Sequence, residues 1–348
     1  MDAVATQPAS ERHALFVETA ARMGTASSVI AEKDFWVCFV LHRLFSLDFR
    51  PRLLFKGGTS LSKAFGLIDR FSEDVDLTLN RAELGFSGPD DPLTISGSKA
   101  RQRKIEALGE ACTRAVRERL EPSLRASLEN VLGRQGWTLE LVALEDGQVD
   151  LHFHYPPSLS PEDYGVLSYV QPVVRMEIGA RSDQEPSVQA LVRSYAAQHL
   201  PDVFSRLEAE VRVLSPERTF WEKATILHAE SNRPLGGAGE LPRAWRQLSR
   251  HAYDIVMLAR RGIAERAVAR LDLLAAVARH KDAFFHSAWA RYGEAKPGSL
   301  RLVPGGQLAG ALRRDYSEMS AMLFGQPPSF DEIVGTLGEL EQQINRTG

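Results

Sequence analysis

The chain has 348 residues, a formal net charge of −3, and ordinary hydrophobic and charged fractions of 44% and 25%. A slightly acidic chain is not a generally sticky nucleic-acid binder, although a local basic groove stays open to it. Cys38 and Cys112 are its two cysteines, and without paired spacing they suggest neither a disulfide framework nor a cysteine-ligated zinc site. The opening residues are polar and lack a signal peptide's apolar core. No run approaches the ~18 apolar residues of a membrane helix, so a cytoplasmic location without membrane contact is expected.

Residues 9–48 read as two amphipathic helices, the second carrying Glu32-Lys33-Asp34. A short strand at 53–55 then enters Gly57, Gly58, Thr59 and Ser60. A helical piece at 61–65 carries Lys63 close behind, and a returning strand is predicted over 71–79. In that strand Asp74 and Asp76 are two apart and project from one face, while Val75, Leu77 and Leu79 face the core. Two neighbouring carboxylates repel, and a divalent metal relieves them; oxygen-only ligands favour Mg²⁺ over zinc. A Gly-Gly turn ahead of a helix lets backbone N–H groups approach a phosphate. Together these are the parts of phosphoryl or nucleotidyl transfer. Taken singly, each also occurs at ordinary turns and solvated sheet edges.

A loop rich in Gly, Pro, Ser and Asp follows at 86–99. Residues 100–134 are then helical, with arginines that form a solvated face or a local basic surface for RNA phosphates. Strands are predicted at 137–144 and 149–155, joined by a turn at 145–147. His152 and His154 share a face in the second, two potential ligands without a third nearby. A long strand is predicted over 168–180 with a single carboxylate, Glu177. Residues 186–206 read as helix and loop, and 208–214 as a strand. Ser215 is an N-cap and Pro216 suits the first helical position of the next helix. In that helix Lys223 lies three after Phe220 and four before Leu227, so it shares the apolar face. A lysine aimed inward needs an anion: a triphosphate, or a buried carboxylate such as Glu177. A second loop spans 231–241. Helices are predicted at 242–261, which carries Arg250 and Asp254, and at 263–292, 306–324 and 330–345.

The order KGGTSLSK…SEDVDL resembles the nucleotidyltransferase, polymerase-beta-like superfamily. More closely it is similar to the AbiEii/AbiGii-type nucleotidyltransferase toxins of abortive-infection and type IV toxin–antitoxin systems. The resemblance runs from about Glu32 to Asn345 and is sharpest at 56–77 and 214–228. It implies an α+β fold: a mixed sheet with flanking helices in residues 1–214, then a helical domain, 215–348, closing the active-site cleft. It implies Mg²⁺ on Asp74 and Asp76, with Glu177 as a third carboxylate on an adjacent strand. Gly57, Gly58, Thr59, Ser60, Lys63 and Ser72 are then the nucleotide-binding set. Lys223 carries over as a lysine required for transfer, and Asp254 as an active-site aspartate, although Arg250 and Asp254 also suit a simple pair along one helix. Glu177 and Asp254 both stand as candidates for the base.

The function so implied is a Mg²⁺-dependent enzyme that moves an NMP from an NTP onto an RNA, tRNA in particular, or a protein. Growth arrest and an antitoxin encoded nearby follow from the same resemblance. The alternatives are an antibiotic-type small-molecule nucleotidyltransferase and a non-catalytic RNA- or antitoxin-binding protein.

Overall fold

The computed structural model describes residues 1–24, 27–144, 148–166, 170–234, 242 and 245–347. The chain divides into two compact units: residues 1–64 with 73–213, and residues 65–72 with 214–348. The predicted turn at 145–147, the start of the strand predicted from 168, and much of the loop at 231–241 lie outside the described residues.

The first unit opens with a short helix α1 (Asp2–Ala5) and continues with α2 (Ala9–Met23) and α3 (Ser28–Phe45). Nearly every residue of α3 is buried, including Glu32, Lys33 and Asp34, each 2% exposed or less. Successive residues on a helix point about 100° apart, so three adjacent charges must find partners in three directions. Glu32 accepts from the backbone and hydroxyl of Ser158 at 2.7 and 2.6 Å and from the Tyr164 hydroxyl at 2.7 Å. Lys33 donates to Glu73 at 2.8 Å and to the Gln171 carbonyl at 3.0 Å. Asp34 accepts from the Tyr195 amide at 2.6 Å and pairs with Lys63. Three adjacent charges on one helix are thus the internal brace of this unit.

Around α3 lie β1 (Leu53–Lys56), α4 (Gly57–Lys63) and β2 (Val75–Leu79). Next come α5 (Ser98–Ala115) and α6 (Glu121–Leu132), joined by a π-helical turn at Val116–Leu120. Then follow β3 (Thr138–Ala143), β4 (Val149–His154), α7 (Pro161–Val166), β5 (Val173–Gly179), β6 (Ser187–Arg193), α8 (Tyr195–His199) and β7 (Glu208–Leu214). The strands form one mixed sheet in the order β3-β4-β5-β2-β1-β7-β6. β2 is antiparallel to β1 and parallel to β5; β4 is antiparallel to β3 and β5. Alternation buries Val75, Leu77, Leu151, Phe153, Val174, Met176 and Ile178. Trp36 of α3 closes on that layer, with its ring 5.9 Å from Phe153 and 5.3 Å from Tyr155.

In the second unit α9 (Pro216–Ser231) is buried along most of its length and packs against α10 (Ser249–Arg260), α11 (Ile263–Val268) and α12 (Leu271–Phe284). α13 (Gly306–Glu318) and α14 (Phe330–Asn345) pack on α10. Residues 65–72, which lie in sequence between the glycine turn and the aspartates, are stitched into this unit. The Phe71 amide donates to the Met322 carbonyl at 2.7 Å, and the Phe324 amide to Asp69 at 2.9 Å.

Several sequence expectations differ here: the strand expected over 71–79 begins at Val75, the helix expected over 263–292 is divided into α11 and α12, and the helical piece expected at 61–65 is Gly57–Lys63. Residues 187–193 form a strand rather than helix or loop. This strand ends the sheet order, where Val188 and Leu191 stay 43% and 53% exposed while Val192 is buried. The strand predicted from 168 begins only at Val173, after Pro172, which has no N–H to give a ladder. The helix predicted from 242 begins at Ser249.

Candidate active site

One face of the sheet carries a row of charges set by register. Lys56 of β1 is opposite Asp76 of β2, Asp76 is opposite Glu177 of β5, and Glu177 is opposite Asp150 of β4. Residues paired in register lie on the same face, so four charged side chains cross the sheet side by side. Asp74 sits just before β2, two residues from Asp76. The row is short of positive charge. Lys56 Nζ is 3.6 Å from Asp76 Oδ1, while the rest is carboxylate. Burial and the negative charges of Asp76, Asp74 and Asp150 push the Glu177 carboxyl up to about 7. Burial, Glu73 and Asp76 raise Asp74 as well. Asp150 Oδ1 is buried and accepts no hydrogen bond among the described residues.

Gly57 begins α4 at the edge of this row. Its φ is +80°, a conformation side chains resist. A Cβ there would lie 2.0 Å from Asp76 Oδ2 and 2.7 Å from Asp76 Cγ. Position 57 therefore has to be glycine for two independent reasons, and the turn presses its backbone against the second aspartate. The hydroxyls after it face inward: Thr59 Oγ1 donates to the Asp74 carbonyl at 2.5 Å and Ser60 Oγ to the Gly57 carbonyl at 2.8 Å. They tie the turn to the aspartate segment. Gly58 and Ser72 are partly exposed. Lys63, expected beside a phosphate, is buried; its ammonium pairs with Asp34 and lies 3.3 Å from the centre of the Tyr195 ring. The structure thus engages Lys63 in the brace under the turn, because the short helix turns its last residue towards α3.

His152 and His154 do share a face, with Nε2 3.6 Å from Asp150 Oδ2 and 3.8 Å from Glu140 Oε2 respectively. Among the described residues no three His, Cys, Asp or Glu side chains stand ready to hold a metal ion unaided. The acidic row fits a hard divalent cation by its chemistry instead: oxygen donors only, mutual repulsion, and an orphaned carboxylate oxygen.

In the second unit Lys223 is 5% exposed, as its place on the apolar face of α9 requires. Its Nζ is 2.8 Å from Asp254 Oδ2; the buried carboxylate it meets is thus Asp254, where the sequence had offered Glu177. Asp254 is fully buried. Its partners are Lys223 and Arg70, not the Arg250 that precedes it by one turn. Arg70 donates from Nε to Oδ1 at 2.8 Å and from Nη2 to Oδ2 at 2.9 Å. Burial alone would push the Asp254 carboxyl up; Arg70 and Lys223 overcome it and hold the group well below the usual carboxylate range. Burial lowers Lys223, partly offset by Asp254. His280 stacks on Phe284 at 4.7 Å.

Sequence reading did not single out Asp150, Lys56 or Arg70. Asp150 carried a weak signal, an acid within an alternating strand. Its neighbour Glu177 is 27 residues on, and only register joins them.

A family model described as nucleotidyl transferase AbiEii toxin, type IV TA system, matches residues 40–336. No curated protein matches. Among solved structures, MenT4, a nucleotidyltransferase toxin from Mycobacterium tuberculosis H37Rv, matches 87% of this chain and 98% of its own at 18% identity and a TM-score of 0.37.

Proposed function

Because the chain belongs to the AbiEii nucleotidyltransferase toxin family of type IV toxin–antitoxin systems, and is thus a nucleotidyltransferase, we propose that it transfers an NMP from an NTP to an RNA hydroxyl. The acceptor put first is tRNA, with a protein second, and an antitoxin encoded nearby is its partner. The observation that carries this reading is the register row Asp76–Glu177–Asp150 beside Asp74 and the glycine turn.

Asp74, Asp76 and Glu177 are the residues that would hold a divalent cation of the Mg²⁺ type, which when bound polarises phosphoryl oxygens and neutralises developing charge. Gly57 and Gly58, with Ser72, offer backbone and hydroxyl to phosphate. Thr59 and Ser60 keep that turn fixed against Asp74. The acceptor oxygen forms a bond to the α-phosphorus as the bond to the bridging oxygen breaks and pyrophosphate leaves. The hydroxyl's proton passes to a carboxylate. Glu177, with its carboxyl raised to about 7, suits that task near neutral pH. Asp254 is held ionised by two cations and is a poor proton acceptor. The family resemblance assigns Lys223 to the same reaction, as the cation that counters phosphate charge.

The test is incubation of the purified protein with each α-³²P-labelled NTP, Mg²⁺ and total bacterial tRNA, beside an Asp74→Ala, Asp76→Ala control. Label in tRNA that disappears in the control is the expected result. Label in protein or in small molecules would keep the chemistry and move the target. No transfer to any acceptor, with growth still arrested by the double variant, would refute a catalytic toxin.

A further inference from the structure

The second unit gathers its buried charges around one carboxylate, and their sum is informative. Lys223 and Asp254 alone make a neutral pair, which offers an incoming anion little. Arg70 changes the count. It grips both oxygens of Asp254 at 2.8 and 2.9 Å and shares Oδ2 with Lys223. Two cations on one carboxylate leave a net positive charge, in a place where Asp254 has no exposed surface and Arg70 and Lys223 only 5% each. His251 Nδ1 lies 3.5 Å from Lys223 Nζ, and burial, Lys223 and Arg250 keep its ring neutral. Arg250 and Lys281 add positive charge.

We propose that Arg70 is a positioning residue for Lys223: by neutralising Asp254 it leaves the Lys223 ammonium uncancelled and free to meet a phosphate. That the anion is phosphate rests on the function proposed above. Arginine suits the place, since its guanidinium stays charged when buried and its planar fork matches a carboxylate in bidentate fashion. The residue comes from the segment 65–72, which joins the second unit although its chain neighbours on both sides belong to the first. The link between the glycine turn and the aspartate strand is thereby given work of its own.

The experiment uses the full chain with Arg70→Met, Asp254→Asn, the double variant and Arg70→Lys, each checked for folding by circular dichroism. Affinity for inorganic triphosphate is measured by calorimetry without metal. R70M is expected to bind roughly tenfold or more weakly, because the remaining pair is neutral. The double variant is expected to return to within about threefold of wild type, since an asparagine no longer cancels Lys223. A double variant as weak as R70M overturns the proposal, as does R70M with unchanged affinity. If R70M does not fold, R70K carries the test. It keeps the charge and should stay within about threefold, and a tenfold loss overturns the proposal. A second readout is independent of phosphate: the Lys223 ammonium, followed by NMR with ¹³C-labelled lysine, should titrate at higher pH in R70M and fall back in the double variant. An unmoved titration overturns Arg70's action. A moved titration in a protein that binds no triphosphate keeps that action and sinks the phosphate reading instead.

Discussion

Replacing Glu177 with glutamine should make the cation-free protein more stable at pH 8 and leave it unchanged at pH 4. The carboxyl is raised from 4.5 to about 7 in the folded state. Between those values the folded protein holds a proton that the unfolded chain has lost, so stability falls as pH rises through the window. At 1.36 kcal/mol per unit, the carboxylate costs the folded state roughly 3 kcal/mol above pH 7, an upper value because water reaches part of the group. Glutamine has nearly the same shape and no charge, so it removes that cost. Urea denaturation in EDTA at pH 4 and pH 8 measures it. The gain in midpoint should appear only at pH 8. Mg²⁺ should stabilise the wild type more than E177Q, because the cation relieves the same repulsion. Transfer by E177Q should fall by roughly 10²–10⁴ if Glu177 is the base. Equal destabilisation of E177Q at both pH values would refute the account of an under-neutralised acidic row.

Gly57→Ala forces a side chain into a left-handed position and against Asp76; a loss of roughly 1–2 kcal/mol in chemical denaturation is expected, with a larger loss of transfer than of stability. Lys63→Met leaves Asp34 in the core without its ammonium and should cost about 3–5 kcal/mol. In the fraction that stays folded, nucleotide affinity by calorimetry should be unchanged, which separates a brace from a phosphate ligand. Thr59→Val strips the Asp74 carbonyl of its hydroxyl donor; a loss of about 1–3 kcal/mol is expected in the same denaturation assay, with weaker Mg²⁺ stabilisation as the aspartate segment loosens.

Much of the candidate site was legible because its rules are local. Alternation of two puts Val75 and Leu77 inside and Asp76 on the opposite face, and this holds whatever strand lies alongside. Helical spacing turns Lys223 inward without reference to its partner. The strand Glu208–Leu214 and the helix Phe330–Asn345 have the bounds their patterns predict, the latter opened by a capping box from Ser329 and Glu332. Lys63 shows the complementary case. No short pattern around it names its partner, and only the fold brings Asp34 to it.

What the sequence determined by itself was the face each of these residues takes and the glycine its turn requires, because both follow from backbone geometry over a few positions. Only the tertiary structure decided who stands beside whom. Asp76 meets Glu177 across 101 residues and Arg70 meets Asp254 across 184. Such pairings are chosen by sheet register and helix packing, where the free energy of the whole core selects one arrangement, and no short pattern carries that choice. The charge of the acidic row and of the Arg70–Asp254–Lys223 cluster arises at the same level, since it is a sum over neighbours that the fold alone supplies.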